Sequence, residues 1–282
     1  MTSDRIPEGV GRTAIGVARA RARESARPDR LFEDPYAAAF VAAAPDGPPT
    51  VPRTEVSPAR VALARHLVIR TRFFDDYLTA ATRAGCTQVV VPAAGLDTRA
   101  FRLDWPAGTR VFELDTPAVL GFKERVLAEQ GAQAPVPRTT LAVDLREDWA
   151  GSLVEAGFDP AARTVWLVEG LLVYLGPDEA AAVLGTIDSL SAPGSRLALT
   201  HGFNSKEQRR AGTSQVVEGI EWGPDLAPVV ALWRGGLDED PVGWLNRRGW
   251  RAEWHDRAEL AVGYGRPADY VTSQRILVTA ER

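Results

Sequence analysis

The chain has 282 residues, 45% of them hydrophobic and 25% charged, with a formal net charge of −4. That is enough apolar material for a substantial core, and too little excess charge for a disordered chain. The acidic balance argues against nucleic acid or an anionic membrane as the main partner, and a single cysteine, Cys86, excludes an internal disulfide and a cysteine-based zinc cluster.

The opening stretch, MTSDRIPEGVGRTAIGVARARARESARPDR, lacks the continuous apolar core of a signal peptide, and no run of roughly twenty apolar residues follows it. The expectation is a soluble, cytoplasmic protein with no metal requirement. Residues 11 to 44 read as two helices, the first carrying Arg19, Arg21 and Arg23 among alanines, the second PYAAAFVAAA. Five prolines between Pro45 and Pro58 then break regular structure. A third helix is predicted from about Ala59 to Ala84, where Val61, Leu63, Leu67, Val68, Phe74, Tyr77 and Leu78 recur at near-helical spacing. Residues 1–85 are therefore expected to form an N-terminal helical cap.

From Gln88 the pattern changes to alternation: strands at 88–93, 110–114, 138–143, 163–168 and 195–201, with helices at 117–130, 148–156 and 177–190. Such alternation builds a parallel sheet covered on both faces. The pattern lapses over about 203–240, an expected insertion, and resumes with a helix at 241–248 and strands near 251–255 and 273–280. The last two strands, joined without an obvious crossover helix, are expected to close the sheet as an antiparallel hairpin. Residues 86–282 would thus form one α/β core of seven strands.

Within that core, VVVPAAGLDTRAFRLDWPAGTRVFELD, from Val89 to Asp115, reads as a buried strand, a turn of small residues and a second strand ending in acids. Ala93, Ala94 and Gly95 keep the turn bare enough for a ligand to approach the backbone. Glu113 and Asp115, roughly twenty residues on, can accept hydrogen bonds from ribose hydroxyls. This local pattern fits either a dinucleotide or S-adenosylmethionine. A full G-x-G-x-x-G and a Tyr-x-x-x-Lys pair, which would support a nicotinamide-dependent oxidoreductase, are both missing.

Seven blocks in order resemble the leucine carboxyl methyltransferase family, in its bacterial branch of S-adenosylmethionine-dependent O-methyltransferases. They are RTAIGVARARARES with LFEDPYA, RTRFFDDYL from Arg70, AAGLDTRAFRLDWP from Ala93, VFELDTPAVLGFK from Val111, VDLREDW from Val143, EGLLVYL from Glu169 and LSAPGSRL from Leu190. The resemblance implies a Rossmann-like class I methyltransferase sheet, mostly parallel with the last strand antiparallel, and S-adenosyl-L-methionine as cofactor. It implies that Ala93, where the family often has glycine, and Gly95 pass the methionine part of the cofactor, and that Asp115, with Glu113, takes the ribose. Asp144 and Leu145 would meet the adenine amino group and ring, Glu169 would face the cofactor, and Arg70, with Arg23 matching less securely, would pair with its carboxylate. Tyr174 and His201 are the candidates lining the acceptor side, with Trp222 and Trp233 of the insertion shaping that pocket. The activity implied is methylation of a small-molecule or peptide carboxylate. A hydroxyl acceptor and a non-catalytic cofactor-binding protein are the alternatives.

Overall fold

The computed structural model describes residues 10–44, 58–201, 216–217, 220–221, 229, 231–271 and 275–282. The chain opens with helices α1 (Val10–Ser25), α2 (Ala37–Ala43) and α3 (Pro58–Arg83), then runs β1 (Gln88–Pro92), α4 (Arg99–Arg102), β2 (Arg110–Asp115), α5 (Pro117–Glu129), β3 (Arg138–Ala142), α6 (Ala150–Glu155), β4 (Thr164–Val168), a 3-10 turn (Leu172–Tyr174), α7 (Pro177–Ser189) and β5 (Arg196–Thr200). A small ribbon of β6 (Val216–Val217) and β7 (Ile220–Glu221) follows, then α8 (Pro241–Asn246), β8 (Arg251–Asp256), α9 (Arg257–Gly263) and β9 (Arg275–Glu281). Trp222 and most of the expected insertion lie outside the described residues.

The main sheet has seven strands in the order β3-β2-β1-β4-β5-β9-β8. The first five run parallel, and β9 is antiparallel to both β5 and β8. This is the expected sheet. Its order reverses between β1 and β4, and the crevice beyond the carboxyl ends of those strands is where open parallel sheets bind ligands. β1 and β4 are buried at all five positions, as continuous apolar strands in a doubly covered sheet must be.

Alternation along the strands feeds two cores. On one face Val90, Phe112, Trp166, Leu197 and Val278 pack with Leu184 and Ile187 of α7 and Trp244 of α8. On the other, Val89, Val91, Val165, Leu167 and Ala198 pack under Phe73, Phe74, Leu78 and Ala81. The second half of α3 thus shares a core with the sheet, and the expected boundary at 85/86 falls inside that core. Two short helices escape the sequence reading: α4, in the β1–β2 crossover, and α9, in the β8–β9 connection. The latter starts at Asp256, whose carboxylate accepts from the amides of Ala258 at 2.8 Å and Glu259 at 3.2 Å.

His66 on α3 is buried, and burial together with repulsion from Arg70 and Arg257 pushes its pKa well below 6.5. It is folded neutral, so the unfolded chain binds more protons below pH 6.5 and stability falls there on acidification, by up to about 1.4 kcal/mol per pH unit. His255, lowered by burial, acts in the same direction. We expect His66→Gln to flatten part of this loss in unfolding curves measured from pH 8 to 5; parallel curves for the two proteins would contradict it.

Candidate functional site

The turn after β1 is held by its own backbone and by one carboxylate. The Ala94 amide donates to Leu114 O at 3.0 Å, and the Gly95 amide to Asp115 Oδ2 at 2.7 Å. The other oxygen of Asp115 accepts from the Thr116 amide at 2.7 Å. Burial pushes the Asp115 carboxyl up from its ordinary value, while these backbone donors work against that rise. Gly95 has φ +51°, and a Cβ there would lie 3.6 Å from the Cβ of Ala14 on α1, so α1 passes directly over the turn. Arg21 of α1 fixes that approach: its guanidinium donates to Leu96 O at 2.5 Å and pairs with Asp34 at 3.0 Å. Ala93 has φ 54°, alone among the described non-glycine residues in the left-handed region.

Beside the turn lies a chain of buried charges. Arg70 of α3 gives its Nε to Glu169 Oε1 at 2.7 Å, and among the described residues no acceptor meets its two terminal nitrogens. Those nitrogens lie across Gly170, where a Cβ would come within 3.7 Å of one of them. The second oxygen of Glu169 accepts from Arg99 at 2.7 Å. Arg99 also binds Asp97 through the same nitrogen, and Asp75 at 2.6 Å through Nε. Arg102 then grips Asp75 with two nitrogens, at 2.6 and 2.8 Å. Burial opposes ionisation of Asp97 and Glu169, but Arg99 foremost outweighs it and holds both carboxyls below their usual range.

β3 lies beside β2 with Ala142 opposite Asp115, and the Val143 amide donates to Asp115 O at 3.0 Å, so Asp144 and Leu145 continue the same edge. Arg146 folds back onto Asp144, donating from its amide at 3.0 Å and from its guanidinium at 2.5–3.2 Å, and lowers that carboxyl to about 2. Leu145 and Ala93 both pack, half-buried, against the core under α7.

The structure thus brings together Arg70, Ala93, Gly95, Asp115, Asp144, Leu145 and Glu169. Two expected residues stand apart. Glu113 is buried between Lys123, at 2.5 Å, and Arg138, at 2.7 Å, instead of reaching the strand end. Arg23 is exposed, and Arg21, two residues earlier, is the α1 arginine that reaches the turn. Tyr174 ends the 3-10 turn after Glu169, half-buried. His201 follows β5; its amide donates to Ile276 O at 3.0 Å and its ring lies 6.1 Å from that of Trp254. Trp233 opens a segment that returns to the same 3-10 turn, where the Arg234 amide donates to Val173 O at 2.7 Å and the Gly236 amide to Leu175 O at 3.0 Å. Arg99, Asp97 and Asp75 lie within the quoted motifs, but spacing alone assigns them no partners. Among the described residues, no cluster of side chains is suited to a metal ion, and no helix is long and apolar enough to cross a membrane.

The model of the leucine carboxyl methyltransferase family matches residues 14–188. The chain belongs to that family. A Frankia alni protein to which S-adenosyl-L-methionine-dependent methyltransferase activity is ascribed is 48% identical over 280 residues, 98% of this chain and 96% of that one. A Streptomyces coelicolor protein with the same ascription is 47% identical over 264 residues, covering 93% and 90% of the two chains. A crystal structure of a methyltransferase-like protein from Thermobifida fusca shares the fold, with TM-score 0.54 and 18% identity over 80% of this chain and 84% of that one. This family member is an S-adenosylmethionine-dependent methyltransferase, and S-adenosylmethionine is its cofactor.

A left-handed alanine is strained by about 1 kcal/mol relative to glycine, which the freer unfolded chain of the glycine form partly offsets. Ala93→Gly should therefore leave the thermal midpoint equal or higher, whereas Ala93→Val, β-branched in the same conformation, should lower it by at least about 2 °C. Thermal unfolding of the three proteins checks both; a stabilised valine variant would show that the strain is not felt.

Proposed function

We propose that this methyltransferase moves the methyl group of S-adenosylmethionine to a carboxylate oxygen of a small molecule or peptide, leaving a methyl ester and S-adenosylhomocysteine. The observation that carries the cofactor side of this reading is the pairing of Arg70 and Glu169 beside the Gly95–Asp115 turn. The amino-acid end of the cofactor is a zwitterion, and the terminal nitrogens of Arg70 suit its carboxylate as Glu169 suits its ammonium group. In this reading the backbone at Ala93 and Gly95 passes the methionine chain, Asp115 accepts from the ribose hydroxyls, Asp144 takes the adenine amino group, and Leu145 packs on the ring. Glu113, held by Lys123 and Arg138, supports β2 from inside.

The sulfonium supplies the activated methyl group, so the protein's task is to align the acceptor oxygen in line with the S–CH₃ bond and to exclude water. An acceptor carboxylate with pKa near 4 arrives ionised at pH 7. A phenol, with pKa near 10, is ionised in roughly one molecule in a thousand, about 4 kcal/mol worse. Carboxyl methylation therefore needs no general base, and Tyr174, His201 and Trp233 serve to shape and orient the acceptor. The family description points the same way. The hydroxyl alternative would need His201 as a base near that pocket.

The two readings separate on product chemistry. Incubation of the purified protein with isotopically labelled S-adenosylmethionine and a panel of carboxylic and phenolic acceptors should yield labelled products that release methanol in mild alkali. A methyl ether survives that treatment, and alkali-stable products would overturn the ester reading.

Binding should also depend on pH through Asp115. Asp115 must be ionised to accept from both ribose hydroxyls, and burial raises its carboxyl above 3.8. On acidification, affinity for S-adenosylhomocysteine should therefore fall through the Asp115 pKa, and Asp115→Asn should weaken binding and remove that step from the profile. Calorimetry across the acid range measures it; a variant that keeps the wild-type pH profile would refute the role given to Asp115.

A further inference from the structure

We propose that Arg99 is a positioning residue whose task is to keep the Arg70–Glu169 pair single-toothed, so that the terminal nitrogens of Arg70 stay available to the cofactor's carboxylate. This rests on the role given to Arg70 above.

The geometry makes the case. Arginine and a carboxylate left alone prefer two parallel hydrogen bonds. Arg70 makes one, from Nε to Oε1 of Glu169, while Arg99 at 2.7 Å draws Oε2 to its own side and so sets how the carboxylate is turned toward Arg70. Arg99 cannot turn away from that oxygen. Its Nε is fixed by Asp75 at 2.6 Å, the nitrogen that holds Glu169 also holds Asp97, and its last nitrogen lies 3.4 Å from Thr71 O. Asp75 is pinned in turn by the two-nitrogen grip of Arg102. One buried guanidinium plane therefore joins α3, the turn after β1 and the end of β4, and fixes which oxygen of Glu169 faces Arg70. Remove its fork and Oε2 is released; Arg70 then closes onto both oxygens and withdraws a terminal nitrogen from the ligand.

The test uses two ligands. S-adenosylhomocysteine carries the amino-acid end, while 5′-methylthioadenosine keeps the nucleoside and sulfur but lacks that end. Arg99→Lys preserves the charge and loses the fork. It should reduce affinity for S-adenosylhomocysteine by roughly tenfold or more, the scale of a lost charge-assisted hydrogen bond, and leave methylthioadenosine within about twofold of wild type. A merely structural role would weaken both ligands equally. Should the lysine variant fail to fold, as judged by circular dichroism, the charge-balanced double variant Asp97→Asn/Arg99→Gln takes its place. Equal losses for the two ligands, or no loss for either, would overturn the proposal. Arg70→Met separates it from the reading beneath: if that variant also fails to discriminate between the ligands, the role of Arg70 is wrong; if it discriminates and Arg99→Lys does not, only the role of Arg99 falls.

Discussion

Six charges that the fold withholds from water govern the rest of this molecule. Arg70, Arg99 and Arg102 face Asp75, Asp97 and Glu169, with side chains at most 12% exposed. Removing such groups from solvent costs several kcal/mol each, and only close pairing with full hydrogen bonding recovers it. The cluster therefore tolerates little rearrangement. It locks α3 to the edge of the sheet at the point where β1 and β4 part, and so makes a helix that precedes the sheet in sequence part of the wall of its ligand crevice.

A second tie closes the opposite side. Arg266, in the connection between α9 and β9, pairs with Glu24 at 2.7 Å and Asp29 at 2.5 Å, and Glu24 also accepts from the Leu31 amide at 2.8 Å. Arg266 and Glu24 are 242 residues apart. The clasp holds the end of α1, and Arg21 on the same helix reaches the turn at Leu96. The cover over the glycine turn is thus anchored at both the start and the end of the chain, and the approach of Ala14 to Gly95 follows from that anchoring.

These ties explain what sequence could and could not reveal. The number of strands, their mostly parallel run and the antiparallel close were legible because the central strands are apolar runs set in regular alternation with helices. That the bare turn and the acid at the next strand end belong to one local unit was legible too, whereas the hydrogen bond from the Gly95 amide to Asp115 was not. Glu113 misled for a physical reason: it shares the strand face of Asp115, but two residues deeper, about 7 Å, where α5 covers it and Lys123 neutralises it. Arg21 and Arg23 differ by two positions on a helix, enough to turn one inward and the other to solvent. The helix α9 left a readable sign, Asp256 with Glu259 three residues later, which is a capping pattern at the start of a short segment. The Arg99 network left none, because its partners lie 2, 24 and 70 residues away and only the folded crossover brings them into one plane.

The charge count of that network bears on how a buried site can accept a charged ligand at all. Three cations and three anions balance before any ligand arrives. In the binding mode proposed above, a zwitterionic amino acid adds one charge of each sign at Arg70 and Glu169, so the sum remains zero and no charge is stranded elsewhere. A ligand end that was only anionic or only cationic would leave a net charge in low dielectric, which is where such an imbalance costs most. In that binding mode the neutrality of the cluster favours a ligand end that brings both signs at the spacing of one amino acid, and it does so through residues, Asp75 and Arg102 among them, that lie two and three hydrogen bonds behind Glu169.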